Sequence, residues 1–120
     1  MSEKPFKKVS ASTAQAEGST CGIRRRLIKK DDGAPASITR LQVLDAKPHW
    51  HKKTHEYYYV LEGTGVLVIG EDRVPVEPGD CVWIEPGVMH HAEGTFEALI
   101  IAAPAFDSAD MFLDPPEATP

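Results

Sequence analysis

All five histidines of the chain lie between positions 49 and 91. His49 and His51 are two residues apart, which on a β-strand places both imidazoles on one face with their Cα atoms roughly 6.5–7 Å apart. Two imidazoles in this arrangement can bind one metal ion. Glu56 follows shortly after, and His90 or His91 can arrive from a distant strand. The pattern therefore indicates a metal site completed by a carboxylate and a third imidazole.

The residues alone leave two questions open at this site. The interval from His51 to Glu56 is odd, so a turn or bulge in the polar segment 52–54 must bring both to one face. His90 and His91 are neighbours and would point to opposite faces of a strand, so only one of them can join Glu56. The alternative interpretation is that these are solvated surface histidines with local hydrogen bonds.

The segments around the histidines predict a protein built mostly of β-strands. Nine glycines and ten prolines in 120 residues interrupt any long helix. About eight to ten short apolar runs remain, separated by turn residues such as the tetrapeptide 62–65 and the hairpin at 70–72. Such a pattern favours a closed antiparallel sandwich or barrel.

Length and composition limit the function further. A chain of 120 residues and 13.1 kDa has the length of a single domain. The net charge of −5 does not favour nucleic-acid binding. We expect no membrane segment, because no apolar stretch is long enough to span a bilayer. The N-terminus lacks the apolar core of a secretory signal, so Cys21 and Cys81 are expected to be reduced thiols in the cytoplasm.

Two segments resemble the two sequence motifs of the cupin superfamily. From His49 the chain reads HWHKKTHEYYYVLEG, and from Gly79 it reads GDCVWIEPGVMHH. The stretch between them is short, as in small single-domain members, and the resemblance covers residues 20–106. The chain departs from the family pattern at three positions that are not metal ligands in it: Val43 for the usual Gly, Glu85 for Pro, and Gly94 for Asn.

The resemblance implies an all-β fold, an antiparallel jelly-roll β-barrel. The barrel would occupy residues 21–106, between a flexible N-terminal arm at 1–20 and an irregular C-terminal tail at 107–120. The family spacing selects His90 rather than His91 and gives one divalent transition metal per chain, Fe, Mn, Ni, Zn or Cu, with coordination positions left open. The implied ligands are His49, His51, Glu56 and His90.

Two further residues are candidates for substrate binding. Strand alternation from Glu56 places Tyr58 on the metal face, where it holds a substrate or forms an aromatic wall. In the run 24–26 of three arginines, we take Arg26 as the side chain that points inward and clamps an anionic substrate. The alternative is a solvated run, paired with the excess acidic residues.

The family hosts many activities, so the fold does not fix the reaction. We expect a metal-dependent enzyme acting on a small polar, anionic metabolite, with a non-heme iron dioxygenase as the first hypothesis. The alternatives are a redox-neutral isomerase, epimerase or lyase, and a non-enzymatic ligand-binding or sensing module. The expected partners are a small-molecule substrate and a second copy in a homodimer, with Phe6 and Val9 of the arm as anchors.

Overall fold

A computed structural model of the chain describes residues 4–44 and 46–116. These residues form seven strands and two short 3₁₀ helices, at Lys30–Asp32 and Ser108–Asp110. Neither helix of this described part is long or apolar enough to cross a membrane. The strands are β1 (Ala16–Ser19), β2 (Gly22–Ile28), β3 (Ser37–Val43), β4 (His55–Ile69), β5 (Asp72–Val76), β6 (Cys81–Ile84) and β7 (His90–Ala103).

All the strand pairs are antiparallel, in the order β1-β2-β3-β7-β4-β5, with β6 also paired to β4. The two longest strands, β4 and β7, pair along their whole lengths. Each of these long strands pairs with more than one neighbouring strand, so a small chain can close around one interior. The structure confirms the predicted all-β, antiparallel jelly-roll β-barrel.

The side chains of β4 alternate between the interior and the surface. Glu56, Tyr58 and Val60 are buried, whereas Tyr59 between them is exposed. The reason is the two-residue period of a strand, which sends successive side chains to opposite faces. The same alternation on the other strands supplies the apolar interior, which includes Leu41, Val43, Leu67, Val76, Ile84, Phe96, Ala98 and Ile100.

The tetrapeptide 62–65, expected to be a turn, lies instead inside the single strand β4. The register shifts between Val60 and Glu62, and Gly63 has a φ of 81°, so the glycine supports a bulge rather than a reversal. Gly65 faces Gly94 of β7, where the two backbones approach closely. The glycines thus bend two long strands, so residues 4–44 and 46–116 form seven strands rather than the about eight to ten expected.

The sheet and the site extend beyond the predicted barrel boundaries of 21 and 106. Part of the expected N-terminal arm, Ala16–Ser19, is β1 and pairs with β2. The expected irregular tail contains the Ser108–Asp110 helix, and Phe112 forms a β-bridge with Trp50. Residues 1–3 and 117–120 lie outside the described residues.

Candidate metal centre

Four side chains from three parts of the chain converge in the barrel interior. The histidines are at most 3% exposed and the carboxylate is 7% exposed, and one ligand atom from each lies within 4.8 Å of the others. Two come from the segment before β4, one from the start of β4 and one from the start of β7. They are His49, His51, Glu56 and His90, the set that the cupin motifs imply.

The C-terminal tail holds the turn that brings His51 and Glu56 together. The Asp110 carboxylate accepts hydrogen bonds from the amides of Lys52 at 2.8 Å and Lys53 at 3.1 Å, and from the Thr54 hydroxyl at 2.7 Å. This turn absorbs the odd interval, and His51 Nε2 lies 2.7 Å from Glu56 Oε1. The predicted turn at 52–54 is therefore present, and three hydrogen bonds to Asp110 of the C-terminal tail hold it in place.

A backbone carbonyl fixes the tautomer of each imidazole in the cluster. A carbonyl oxygen can only accept, so the Nδ1 that meets it carries the proton and Nε2 is left with its lone pair. All three Nε2 atoms are consequently available to bind a metal ion in the interior. The Nδ1 donors and their acceptors are His49 to Lys47 O at 2.9 Å, His51 to Asp110 O at 2.6 Å, and His90 to Val88 O at 2.9 Å.

These donor atoms fit a divalent transition metal. His51 Nε2 is buried and has no hydrogen-bond partner within the described chain, although the Glu56 oxygen is near. His90 Nε2 and His49 Nε2 lie 2.9 and 3.9 Å from the same oxygen. Lone pairs and a carboxylate gathered away from water need a cation between them. Three imidazoles and one carboxylate suit the transition metals better than Mg or Ca.

The electrostatics of the cluster favour an ionised Glu56 and a neutral His49. Burial opposes the charge of Glu56, but its contacts with His51 and His90 outweigh burial and hold its pKa below the ordinary value. Burial, together with the nearby His90, lowers the pKa of His49. Burial also lowers the pKa of His51, but the Glu56 carboxylate raises it by more. The carboxylate of Glu56 is thus the negative group around which the three imidazoles gather.

The other two histidines lie outside the cluster. His91 is half-buried and its Nε2 lies 3.1 Å from Glu93 Oε2. His55 stacks against Trp83 and accepts a hydrogen bond from its indole nitrogen at 3.1 Å. Of the adjacent pair at 90 and 91, the structure thus places the first in the interior and the second toward the surface carboxylate.

A cavity of about 90 Å³ that opens to solvent adjoins the metal ligands. Tyr58, which the sequence placed on the metal face, is 3% exposed and lines it. Burial and the charge of Glu56 raise the pKa of Tyr58 well above its ordinary value, so its hydroxyl stays protonated. The other lining residues include Cys21, Arg24, Ser37, Thr39, Leu41, Ile100, Ala102, Phe106 and Met111.

Arg24, rather than the predicted Arg26, is the arginine that lines this cavity. The two residues share the inner face of β2, but Arg26 is held by Glu17, with Nε at 2.8 Å and Nη2 at 3.3 Å from its oxygens. Arg26 lines only a second, outer cavity, which Arg24 also reaches. Strand spacing indicated that Arg24 and Arg26 share a face, but it could not show which of them the acid would engage.

Sequence reasoning did not find Asp110, Phe106 or Met111. Asp110 bonds the loop beside the metal ligands, and the other two line the cavity. All three follow β7, in a stretch rich in proline and acidic residues whose sequence shows no strand or helix periodicity. No local signal in the sequence points to them.

Comparison with known proteins agrees with this geometry. The cupin-domain family model matches residues 41–102. A protein of Methanocaldococcus jannaschii is 36% identical over 45 residues, which are 38% of this chain and 36% of that protein, so the match spans about a third of the relative's length. A crystal structure of a Planctomyces limnophilus protein superposes with a TM-score of 0.84 at 26% identity, covering 89% of this chain and 96% of that one. The polyketide cyclase RemF of Streptomyces resistomycificus gives a TM-score of 0.68 at 26% identity, covering 88% and 89%.

Proposed function

This chain belongs to the cupin family, and on that premise we propose that it is a metal-dependent enzyme acting on a small polar metabolite. The observation that carries the proposal is a buried group of three imidazoles and one carboxylate that adjoins a cavity. A purely structural metal site is closed by protein ligands, whereas this one faces space that a substrate can enter. A divalent ion held by the four ligands would supply a Lewis acid.

A redox-neutral reaction, of the isomerase, cyclase or lyase kind, is the class that we put first. Tyr58 supports it, because a buried, protonated hydroxyl beside the ligands can donate a hydrogen bond to a substrate oxygen. The similarity to a polyketide cyclase also supports a redox-neutral reaction. The sequence alone put an iron dioxygenase first, and the three imidazole ligands with one carboxylate keep it as the second candidate.

The test is turnover with and without oxygen. Protein stripped of metal is reloaded with Fe(II), Mn(II), Ni(II) or Zn(II) and assayed on ketoacids, diketones and phenols, with His51→Ala as the inactive control. Turnover that persists under nitrogen with Zn(II) or Mn(II) supports the redox-neutral class. Turnover that requires both Fe(II) and O₂ contradicts it and supports the dioxygenase. Saturable binding without turnover of any compound contradicts an enzyme and supports a ligand-binding module.

We also propose that the protein is a homodimer in a reducing compartment. Both cysteines are free, which fits such a compartment. Several large apolar side chains are exposed, among them Phe6 of the N-terminal segment and Ile23 of β2. A second copy that covered them would remove apolar surface from water. Light scattering at micromolar concentration tests the dimer, and a strict monomer contradicts it.

A further inference from the structure

The guanidinium of Arg24 faces the metal cavity without a full partner. Its Nε is buried and makes no hydrogen bond to any described residue. The nearest carboxylate oxygen, Glu17 Oε1, is 4.0 Å from it, which is too far for a hydrogen bond. Arg26 already holds both oxygens of Glu17. The side chain is 27% exposed, but its buried Nε–H is a donor whose unpaired state is costly unless a ligand completes it.

A second donor lines the same cavity from β3, four residues before Leu41, the register partner of Arg24. Ser37 is 5% exposed, and its oxygen already accepts a hydrogen bond from the amide of Phe106 at 2.9 Å. The hydroxyl proton of Ser37 is therefore left to donate. Thr39 lines the cavity next to it, two residues along the same face of β3. The wall thus offers donors to a ligand, and an acceptor group with negative charge complements it.

We propose that Arg24 and Ser37 form a subsite for the carboxylate of an organic acid, whose remaining atoms extend toward the metal ligands. A planar guanidinium matches a carboxylate through two parallel hydrogen bonds. Arg24 is the one lysine or arginine in the described part of the chain that lines the inner cavity. A single cation balances one carboxylate better than a doubly charged phosphate.

The other basic residues nearby line an outer cavity that shares Arg24, Ser37 and Thr39 with the inner one. Arg26, Lys29 and Lys30 line the outer cavity and not the inner one. Arg26 is neutralised by Glu17, and Lys30 pairs with Asp107. This subsite rests on the proposed function for its metal-bound end, and it narrows the substrate from a small polar metabolite to a carboxylic acid.

The experiment measures binding to the full-length, metal-free protein, so that neither metal nor turnover is needed. Calorimetric titrations at constant ionic strength use pyruvate, its uncharged amide and inorganic phosphate. We expect pyruvate to bind and the amide to fail. Arg24→Gln should weaken pyruvate binding by about 10- to 100-fold, the range for losing hydrogen bonds to a charged group. Arg24→Lys should recover part of the loss, because it restores the charge but not the planar fork.

The matched control is Arg25→Gln on the opposite face of β2, where Arg25 donates to the carbonyls of Ala11 and Ala14. It should leave pyruvate binding unchanged. Near-ultraviolet circular dichroism checks that each variant is folded, and Arg24→Lys keeps the test valid if Arg24→Gln is not. The proposal is overturned if Arg24→Gln binds pyruvate as the parent does, or if Arg26→Gln is the variant that loses binding.

Two ligand outcomes also overturn the proposed class. Tighter binding of phosphate than of pyruvate would assign the subsite to phosphate compounds, and equal binding of the amide would show that charge is not recognised. Failure of the subsite is distinguishable from failure of the proposed function. Metal-dependent turnover by a protein that binds no carboxylate would retain the proposed function without the subsite, whereas an inactive protein that still binds pyruvate through Arg24 would retain the subsite.

Discussion

Asp110→Ala should weaken metal binding although Asp110 is not itself a ligand. Its carboxylate holds three donors of the loop at 52–54, and its carbonyl oxygen accepts from His51 Nδ1 at 2.6 Å. The substitution keeps the carbonyl but releases the loop from the tail that carries it. His51 would then lose its fixed orientation toward Glu56.

The expected loss of metal affinity follows from the indirect way in which Asp110 acts on the metal ligands. Loss of a group that orients a metal ligand costs about 10- to 100-fold in metal affinity. Asp110 is partly exposed, and its side chain acts on His51 through the loop, so we expect the lower end, about tenfold, or about 1.4 kcal/mol. The metal affinity of Asp110→Asn should lie between those of the parent protein and Asp110→Ala, because an amide oxygen can still accept some of these hydrogen bonds but carries no charge.

The assay is competition for Zn(II) or Co(II) between the stripped protein and a chromophoric chelator. Asp114→Ala is the matched control, because Asp114 is an exposed acid of the same tail whose recorded contact, with the Trp50 indole, uses the backbone carbonyl. It should leave the metal affinity unchanged. Parent-like affinity in a folded Asp110→Ala protein would refute the argument that the tail orients His51.

Three other results are expected. His90→Ala should lose the metal while His91→Ala keeps it, as metal analysis of purified protein will show, because only the first points into the cluster. Iodoacetamide should modify Cys21 more slowly than Cys81 at neutral pH, measured by peptide mass spectrometry. Burial raises the pKa of Cys21 and leaves less thiolate. Gly65→Ala should lower the free energy of unfolding by about 1–3 kcal/mol in urea, because its Cβ would lie 2.5 Å from a carbonyl oxygen of β7.

Each of these has a result that would count against it. Equal metal content in the two histidine variants would mean that the register at the start of β7 is shifted by one residue. Faster modification of Cys21 would place that thiol in solvent. Gly18→Ala meets no atom within 4 Å and should be nearly neutral, so equal destabilisation at Gly18 and Gly65 would show that the backbone contact is not the cause.

Several features of the site depend only on local spacing and can be predicted from the sequence. The two-residue period of a strand predicts that His49 joins His51, and that Tyr58 shares the face of Glu56. Turn residues predict the hairpin between β4 and β5. The choice of His90 came from the cupin motif spacing, since strand alternation shows only that one of two neighbours faces inward.

Two other features, the arginine that lines the cavity and the residue that holds the loop at 52–54, depend on competition between distant segments and are visible only in the folded chain. Glu17 engages Arg26, which leaves Arg24 as the arginine of the inner cavity, although both lie on one face of the same strand. Asp110 contacts His51 and the loop beside it across as many as 59 positions of sequence, because the folded chain places the tail next to that loop. Strand period and turn propensity act over a few residues, whereas the choice of a partner depends on which groups the folded chain brings within hydrogen-bond distance.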